Sequence, residues 1–330
     1  MKGDAMNRRA FLGFLGVSSW LTYGVFAHAQ SRVPIIGLLE RSAPAGFRWV
    51  DGFRDGLREL GYIEGKNLVI ERRHTLGHEA ELRPLAAELV QMKPDVIVTL
   101  STPAARAALE ATKTIPVVFL AAGDPVATGL VTSLARPGGN GTGVSVLSPD
   151  LATKRVDLLR QLTPRAKRVA YLVDLANPSQ VVSTKSSQAA AQSLGIKLEI
   201  YNATNAGEIA SALRAIPWKS IDGVLIGGDP IFLAEGAKIA ETIRAAKAPA
   251  IFPWRDFHDY GVLMTYSPNL YEVARRGAHY VDKILKGAKP ADLPIEQVSK
   301  VELVINLRVA DEMGIRVPQE LLFRADEVIR

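Results

Sequence analysis

The sequence runs to 330 residues, carries a formal net charge of +6 and contains no cysteine. The missing thiols exclude disulfides, thiolate metal sites, a cysteine nucleophile and a lipidated-cysteine tether. The positive excess is too mild to predict nucleic-acid binding, and the length exceeds what one hydrophobic core usually accommodates, which predicts two lobes of about 150 residues each.

In chain order, residues 1–29 come first and read as a cleaved export signal. Asn7-Arg8-Arg9-Ala10-Phe11-Leu12 supplies a twin-arginine segment, Phe14 to Phe26 an apolar stretch, and Ala27-His28-Ala29 a small-x-small cleavage site. The apolar stretch is broken by glycine and serine and is shorter than the roughly 20 residues of a membrane-spanning helix. Cleavage after Ala29 predicts a soluble, untethered, periplasmic product that works as a monomer. Removing residues 1–30 takes Lys2, Asp4, Arg8 and Arg9 with it and leaves a formal charge of +4.

From Pro34 onward, short β-branched runs alternate with alanine- and leucine-rich segments, the pattern of βα units around parallel sheets. Strands are predicted at Pro34–Leu39, Leu68–Arg72, Asp95–Leu100, Val117–Leu120 and Gly143–Leu147. Five more follow at Arg168–Val173, Lys197–Tyr201, Gly223–Ile226, Ala250–Phe252 and Val262–Tyr266. Helices are predicted near 46–61, 79–92, 103–112, 150–162, 178–194, 206–215, 230–246 and 269–286. The fold class is therefore α/β, as two doubly wound, Rossmann-like lobes.

Four predicted strand ends share one local design. Ser101-Thr102-Pro103, Gly123-Asp124-Pro125, Ala176-Asn177-Pro178 and Gly228-Asp229-Pro230 each set a capping side chain directly before proline, which is helix-start chemistry. Ligands of open α/β sheets bind at the carboxyl ends of the strands. Free amides there suit a carboxylate, hydroxyls of Ser101, Thr102 and Ser179 could add to them, and Asp124 and Asp229 would instead suit an amine. Each motif could equally be a plain cap. Further candidates are Arg41 and Ser42 after the first strand, and Trp254 and Arg255 with Tyr266 around Phe252–Phe257, where aromatic faces and a donor fork suit a planar or carboxylate-bearing solute. Core packing and solvated loops are the competing readings of these.

Enzyme signatures fail. His74 and His78 stand four apart beside Glu79 without reproducing a zincin helix, no Gly-x-Ser-x-Gly elbow occurs, and the glycines of Pro137–Gly143 lack the lysine of a phosphate loop. These glycines precede a strand and read as the approach to a hinge. Arg72-Arg73 and Lys154-Arg155 read as solvated faces. No cofactor and no metal are expected.

Several segments together resemble a known family. They are Gly52-Phe53-Arg54-Asp55-Gly56-Leu57, Gly61-Tyr62-x-Glu64-Gly65-x-Asn67, Ile115–Phe119, Asp124-Pro125-Val126, Arg136–Gly143, Gly261–Tyr266, Ile284–Pro294 and Glu302–Leu307. The set is similar to the ABC-importer substrate-binding family that includes tryptophan- and tyrosine-binding members. The resemblance implies a type I periplasmic-binding architecture whose lobes are joined by hinge strands, with crossings near Gly143–Leu147 and Val262–Tyr266. It implies lobe 1 at 33–143 plus about 264–288, and lobe 2 at 144–263 plus about 289–330, with the lobe of the C-terminal tail open. It also implies a permease partner in the inner membrane and cleft positions at Ser101, Thr102, Asp124, Asn177 and Asp229.

The expected function is capture of a small amino acid, aromatic acid or other carboxylate. Ser101, Thr102 and Asp124 would dock the solute, closure would add Asn177, Asp229, Phe232, Trp254 and Arg255, and Gly123 is a further candidate contact. A sensor subunit that presents its ligand to a membrane receptor, or an exported α/β enzyme, would fit the same fold.

Overall fold

The computed structural model describes residues 32–42, 48–146 and 148–330; the expected export signal and Leu147, the predicted end of the fifth strand, lie outside them. The first sheet takes β1 (Ile35–Glu40), β2 (Val69–His74), β3 (Val96–Thr99), β4 (Val117–Gly123) and β5 (Gly141–Val146) in the order β2-β1-β3-β4-β5, all parallel. Helices α1 (Arg48–Glu59), α2 (Leu82–Gln91) and α3 (Thr102–Ala111) connect its strands. After α4 (Ser148–Leu162), the second sheet repeats the winding. Its strands β6 (Arg168–Val173), β7 (Lys197–Asn202), β8 (Gly223–Ile226), β9 (Ala250–Phe252) and β10 (Met264–Ser267) run β7-β6-β8-β9-β10. Helices α5 (Pro178–Ser193), α6 (Ala206–Ala215), α7 (Pro230–Ala234) and α8 (Gly236–Ala245) link them.

Strand composition follows position. β3 and β8 are buried at every residue and read as apolar runs broken only by Thr99 at the end of β3, as parallel interior strands covered on both faces do. The edge strands β2 and β7 carry Glu71, Arg72, Arg73, Lys197 and Glu199 and stay partly exposed. Charge along an edge discourages pairing with another chain.

The remainder alternates between lobes. α9 (Leu270–Leu285) packs along α1, β11 (Glu296–Gln297) adds to β5, and β12 (Glu302–Asn306) joins β10 antiparallel. The chain ends with α10 (Leu307–Met313), α11 (Gln319–Arg324) and β13 (Glu327–Ile329), the last beside β12. The chain thus crosses between sheets three times, after β5, β10 and β11. This moves two expected boundaries. Residues 264–267 belong to the second sheet because they hydrogen-bond β9 and β12, and the first lobe keeps the chain through Gln297 because β11 pairs with β5.

Two glycine features fix this arrangement. On α1, a Cβ at Gly52 would stand 2.2 Å from the Tyr271 carbonyl oxygen and one at Gly56 2.2 Å from that of Arg275, so α9 approaches α1 backbone to backbone. Gly143 has φ +140°, and a Cβ there would meet the Phe119 carbonyl oxygen at 2.0 Å. Its role is close strand approach within β5, not the hinge freedom expected of it. The helix expected over 230–246 divides at Glu235, and the C-terminal strands and helices beyond 302 had no predicted counterparts.

Candidate ligand site

Each sheet reverses its strand order once, between β1 and β3 in the first and between β6 and β8 in the second. A crevice opens at such a switch point because the flanking connections leave toward opposite faces. The loops leaving β3, β4, β6 and β8 converge on one cavity of about 660 Å3 of non-atom space, its mouth included.

The first lobe contributes Ser101, Thr102 and Gly123 to the wall, the second Asn177, Ser179 and Trp254. Ser101 and Asn177 are helix caps in extended conformation, as their Pro-adjacent sequences predict. Ser101 Oγ accepts from Ala104 N–H at 3.5 Å, and Asn177 Oδ1 accepts from Ser179 N–H at 3.0 Å. Thr102 Oγ1 accepts from Gly123 N–H at 3.1 Å and ties the ends of β3 and β4 together. Trp254 stacks against Phe257 at 6.4 Å between ring centroids, which leaves it a firm apolar wall.

The charge in the cavity comes from a residue the sequence hid. Arg155, on α4, is only 9% exposed and lines the cavity. Its Nε donates to the Tyr266 carbonyl oxygen at 2.9 Å, and no carboxylate among the described residues pairs with it. Burial lowers its guanidinium to about 10, partly offset by the phenols of Tyr171 and Tyr266, so it remains a cation at neutral pH. The pair Lys154-Arg155 looks like a solvated face because only the tertiary turn of α4 decides which of two adjacent bases points inward. Lys154 does pair outside, with Asp157 at 2.7 Å.

The other expected site residues lie off the cavity lining. Arg41 is fully buried against the second lobe: its Nη1 stands 2.5 Å from Asp174 Oδ2 and 2.7 Å from Asp229 Oδ2, with Glu79 at 3.6 Å from Nη2. Asp229 Oδ2 also accepts from Asn177 Nδ2 at 2.7 Å, and its Oδ1 accepts from Ile231 N–H at 3.1 Å. Burial first, then the neighbouring Asp229, push the Asp174 carboxyl up to about 6. Ser42 is buried beside this cluster in sequence. Asp124 closes its own turn by accepting from Ala127 N–H at 3.0 Å. Phe232 is core, at 0% exposure. Arg255 turns to Glu327 at 2.5 Å, tying β13 to the loop after β9, and Tyr266 packs its ring on the second lobe's core while its carbonyl holds Arg155.

The family profile of ABC transporter substrate binding proteins matches residues 32–329. The chain belongs to that family. As an ABC transporter substrate-binding protein it has similar relatives of known structure and name. The tyrosine-binding protein of Clostridioides difficile is 26% identical over 302 residues, covering 90% of this chain and 86% of its own. A Vibrio cholerae conserved domain protein superposes with TM-score 0.83 at 30% identity, covering 90% of this chain and all of its own. A Streptococcus pneumoniae ABC domain in complex with L-Trp superposes with TM-score 0.81 at 28% identity, over 89% of this chain and all of the other. The family is one of substrate-binding proteins, and the two parallel-sheet lobes match the type I periplasmic-binding fold.

Proposed function

We propose that this substrate-binding protein is exported to the periplasm, traps a small organic carboxylate between its two lobes and delivers it unchanged to an inner-membrane ABC permease. The observation that carries the reading is the cavity at both sheet switch points with the buried Arg155 cation on its wall. A guanidinium removed from water seeks a carboxylate, which can take two parallel hydrogen bonds from its fork. The amides at the starts of α3 and α5 add positive character from the two lobes. Arg155 lines the same cavity and is bound to the carbonyl of Tyr266 just before the chain crosses to α9, so solute on Arg155 would report directly to a hinge strand.

Closure then follows from differential affinity, since a solute that touches both lobes binds the closed arrangement better than the open one. The Arg41 cluster joins the same two lobes and would add to that closed state. The export signal expected at residues 1–29 supports a periplasmic location.

Incubating the protein with a small-molecule extract, washing it and identifying what denaturation releases by mass spectrometry tests the reading. Retention of one or a few solutes, released chemically unchanged, is expected. Retention of none, or release of a transformed compound, refutes solute capture.

A further inference from the structure

We infer that the solute is a carboxylate that lacks an ammonium group: among the described residues the cavity offers one buried cation, Arg155, and no anionic group to receive a positive charge. The inference rests on the solute-capture reading and narrows its ligand class.

No aspartate or glutamate lines the cavity among the described residues. The internal residues outside them, Ala43, Pro44, Ala45, Gly46, Phe47 and Leu147, bring no ionisable side chain either. Of the acids near the strand ends, Asp124 stands off the lining and turns its Oδ1 to the amide of Ala127, and the two behind the wall are spoken for. Asp229 spends Oδ2 on Arg41 and Asn177 and Oδ1 on the amide of Ile231, while Asp174 takes Arg41 on Oδ2 and the amide of Ala176 on Oδ1. Both side chains have no exposed surface. Their charge serves the contact between lobes.

What the cavity does offer beside Arg155 is neutral. Gln180 Oε1 and Ser183 Oγ are buried, line the wall and have no hydrogen-bond partner; the Gln180 amide is oriented by its Nε2, which donates to the Gly228 carbonyl at 2.9 Å. An orphaned acceptor calls for a donor. A hydroxyl or an amide N–H satisfies it at no charge. An ammonium would exchange its hydration for one neutral acceptor, in an enclosed space already holding a guanidinium, and like charges there disfavour one another. Leu100, Val146, Leu151, Trp254 and Leu270 give the lining an apolar side next to the hydroxyls of Ser101, Thr102, Ser179 and Ser267 and the amide of Asn177, so the solute carries an apolar part as well. A des-amino or 2-hydroxy acid with an aromatic or branched body suits Arg155, the neutral acceptors and the apolar side together.

Isothermal titration with matched pairs tests this: phenylalanine against 3-phenylpropionate and 3-phenyllactate, tryptophan against indole-3-propionate, and leucine against 4-methylpentanoate. Within at least one pair the member without the ammonium should bind ten times tighter or more. Arg155→Gln should abolish that binding, and Arg155→Lys, which keeps the charge but not the fork, should weaken it at least tenfold while thermal unfolding shows a folded protein. Equal or tighter binding of an amino acid overturns the inference and leaves solute capture standing. Binding of no member of any pair also overturns it, whereas loss of the solute-capture reading requires that the extract experiment return nothing or a transformed compound.

Discussion

Arg41→Met removes the one cation from a contact in which the two lobes supply opposite charges. Arg41 follows β1 in the first lobe, its partners Asp174 and Asp229 follow β6 and β8 in the second, and all three side chains are fully buried. Taking one partner from a buried ion pair generally costs about 3–5 kcal/mol, because the remaining charge stays out of water. An independent ceiling comes from protonation: neutralising one aspartate at pH 7 costs about 4 kcal/mol from a reference near 3.9, and at pH 5 only about 1.5 kcal/mol. The two figures agree at neutral pH. Because the contact exists only where the lobes meet, the loss falls on the closed arrangement. Affinity for the solute recovered from the extract should fall by roughly 100- to 1,000-fold at pH 7, where about 1.4 kcal/mol is a factor of ten. At pH 5 the same substitution should cost about tenfold. Calorimetric titration of the wild type and the variant at both pH values reads this directly. Affinity within threefold of wild type at pH 7, or a penalty that does not shrink at pH 5, would refute the assignment of the cluster to closure.

Gly56→Val should destabilise the protein by about 1–3 kcal/mol or more through overpacking, since its side chain would enter the Arg275 carbonyl; chemical denaturation measures it, and an unchanged midpoint would contradict the α1–α9 contact. Trp254→Ala should weaken solute binding at least tenfold while leaving the Arg41 contact and the fold in place, as titration and circular dichroism would show. Burial lowers His258 to about 4, with its Nε2 3.0 Å from Thr265 Oγ1. A base held neutral by the fold contributes stability that is complete above its unfolded value near 6.5 and is lost as pH falls toward 4. His258→Gln should therefore remove about 2 kcal/mol of the loss between pH 7.5 and 4.5. Asp174 acts in the opposite sense, because its raised value makes the native protein bind the extra proton. Its contribution falls as pH rises from about 4 to about 6, and Asp174→Asn should remove that slope from the thermal unfolding profile.

Local chemistry carried most of the architecture. Unbroken apolar runs such as Gly223–Ile226 announce strands covered on both faces, and a capping residue before proline announces a helix start, because both signals depend on a few adjacent residues. Ser101, Thr102, Asn177 and Ser179 could be placed at strand ends for that reason, and the structure lines the cavity with them. The residues that set its charge could not. Whether Lys154 or Arg155 points inward depends on how α4 lies against β10, and whether Arg41 and Asp229 meet a solute or each other depends on two loops 188 residues apart. The sequence alone determined two α/β lobes, their strand-end helix caps and an expected export signal, since period, propensity and capping act over one turn or one strand. Only the tertiary structure decided that the aspartates pair with Arg41, that Arg155 remains as the charge in the cavity, and that the C-terminal strands complete the second sheet. Burial and ion pairing are set by distant segments, and no local pattern records them.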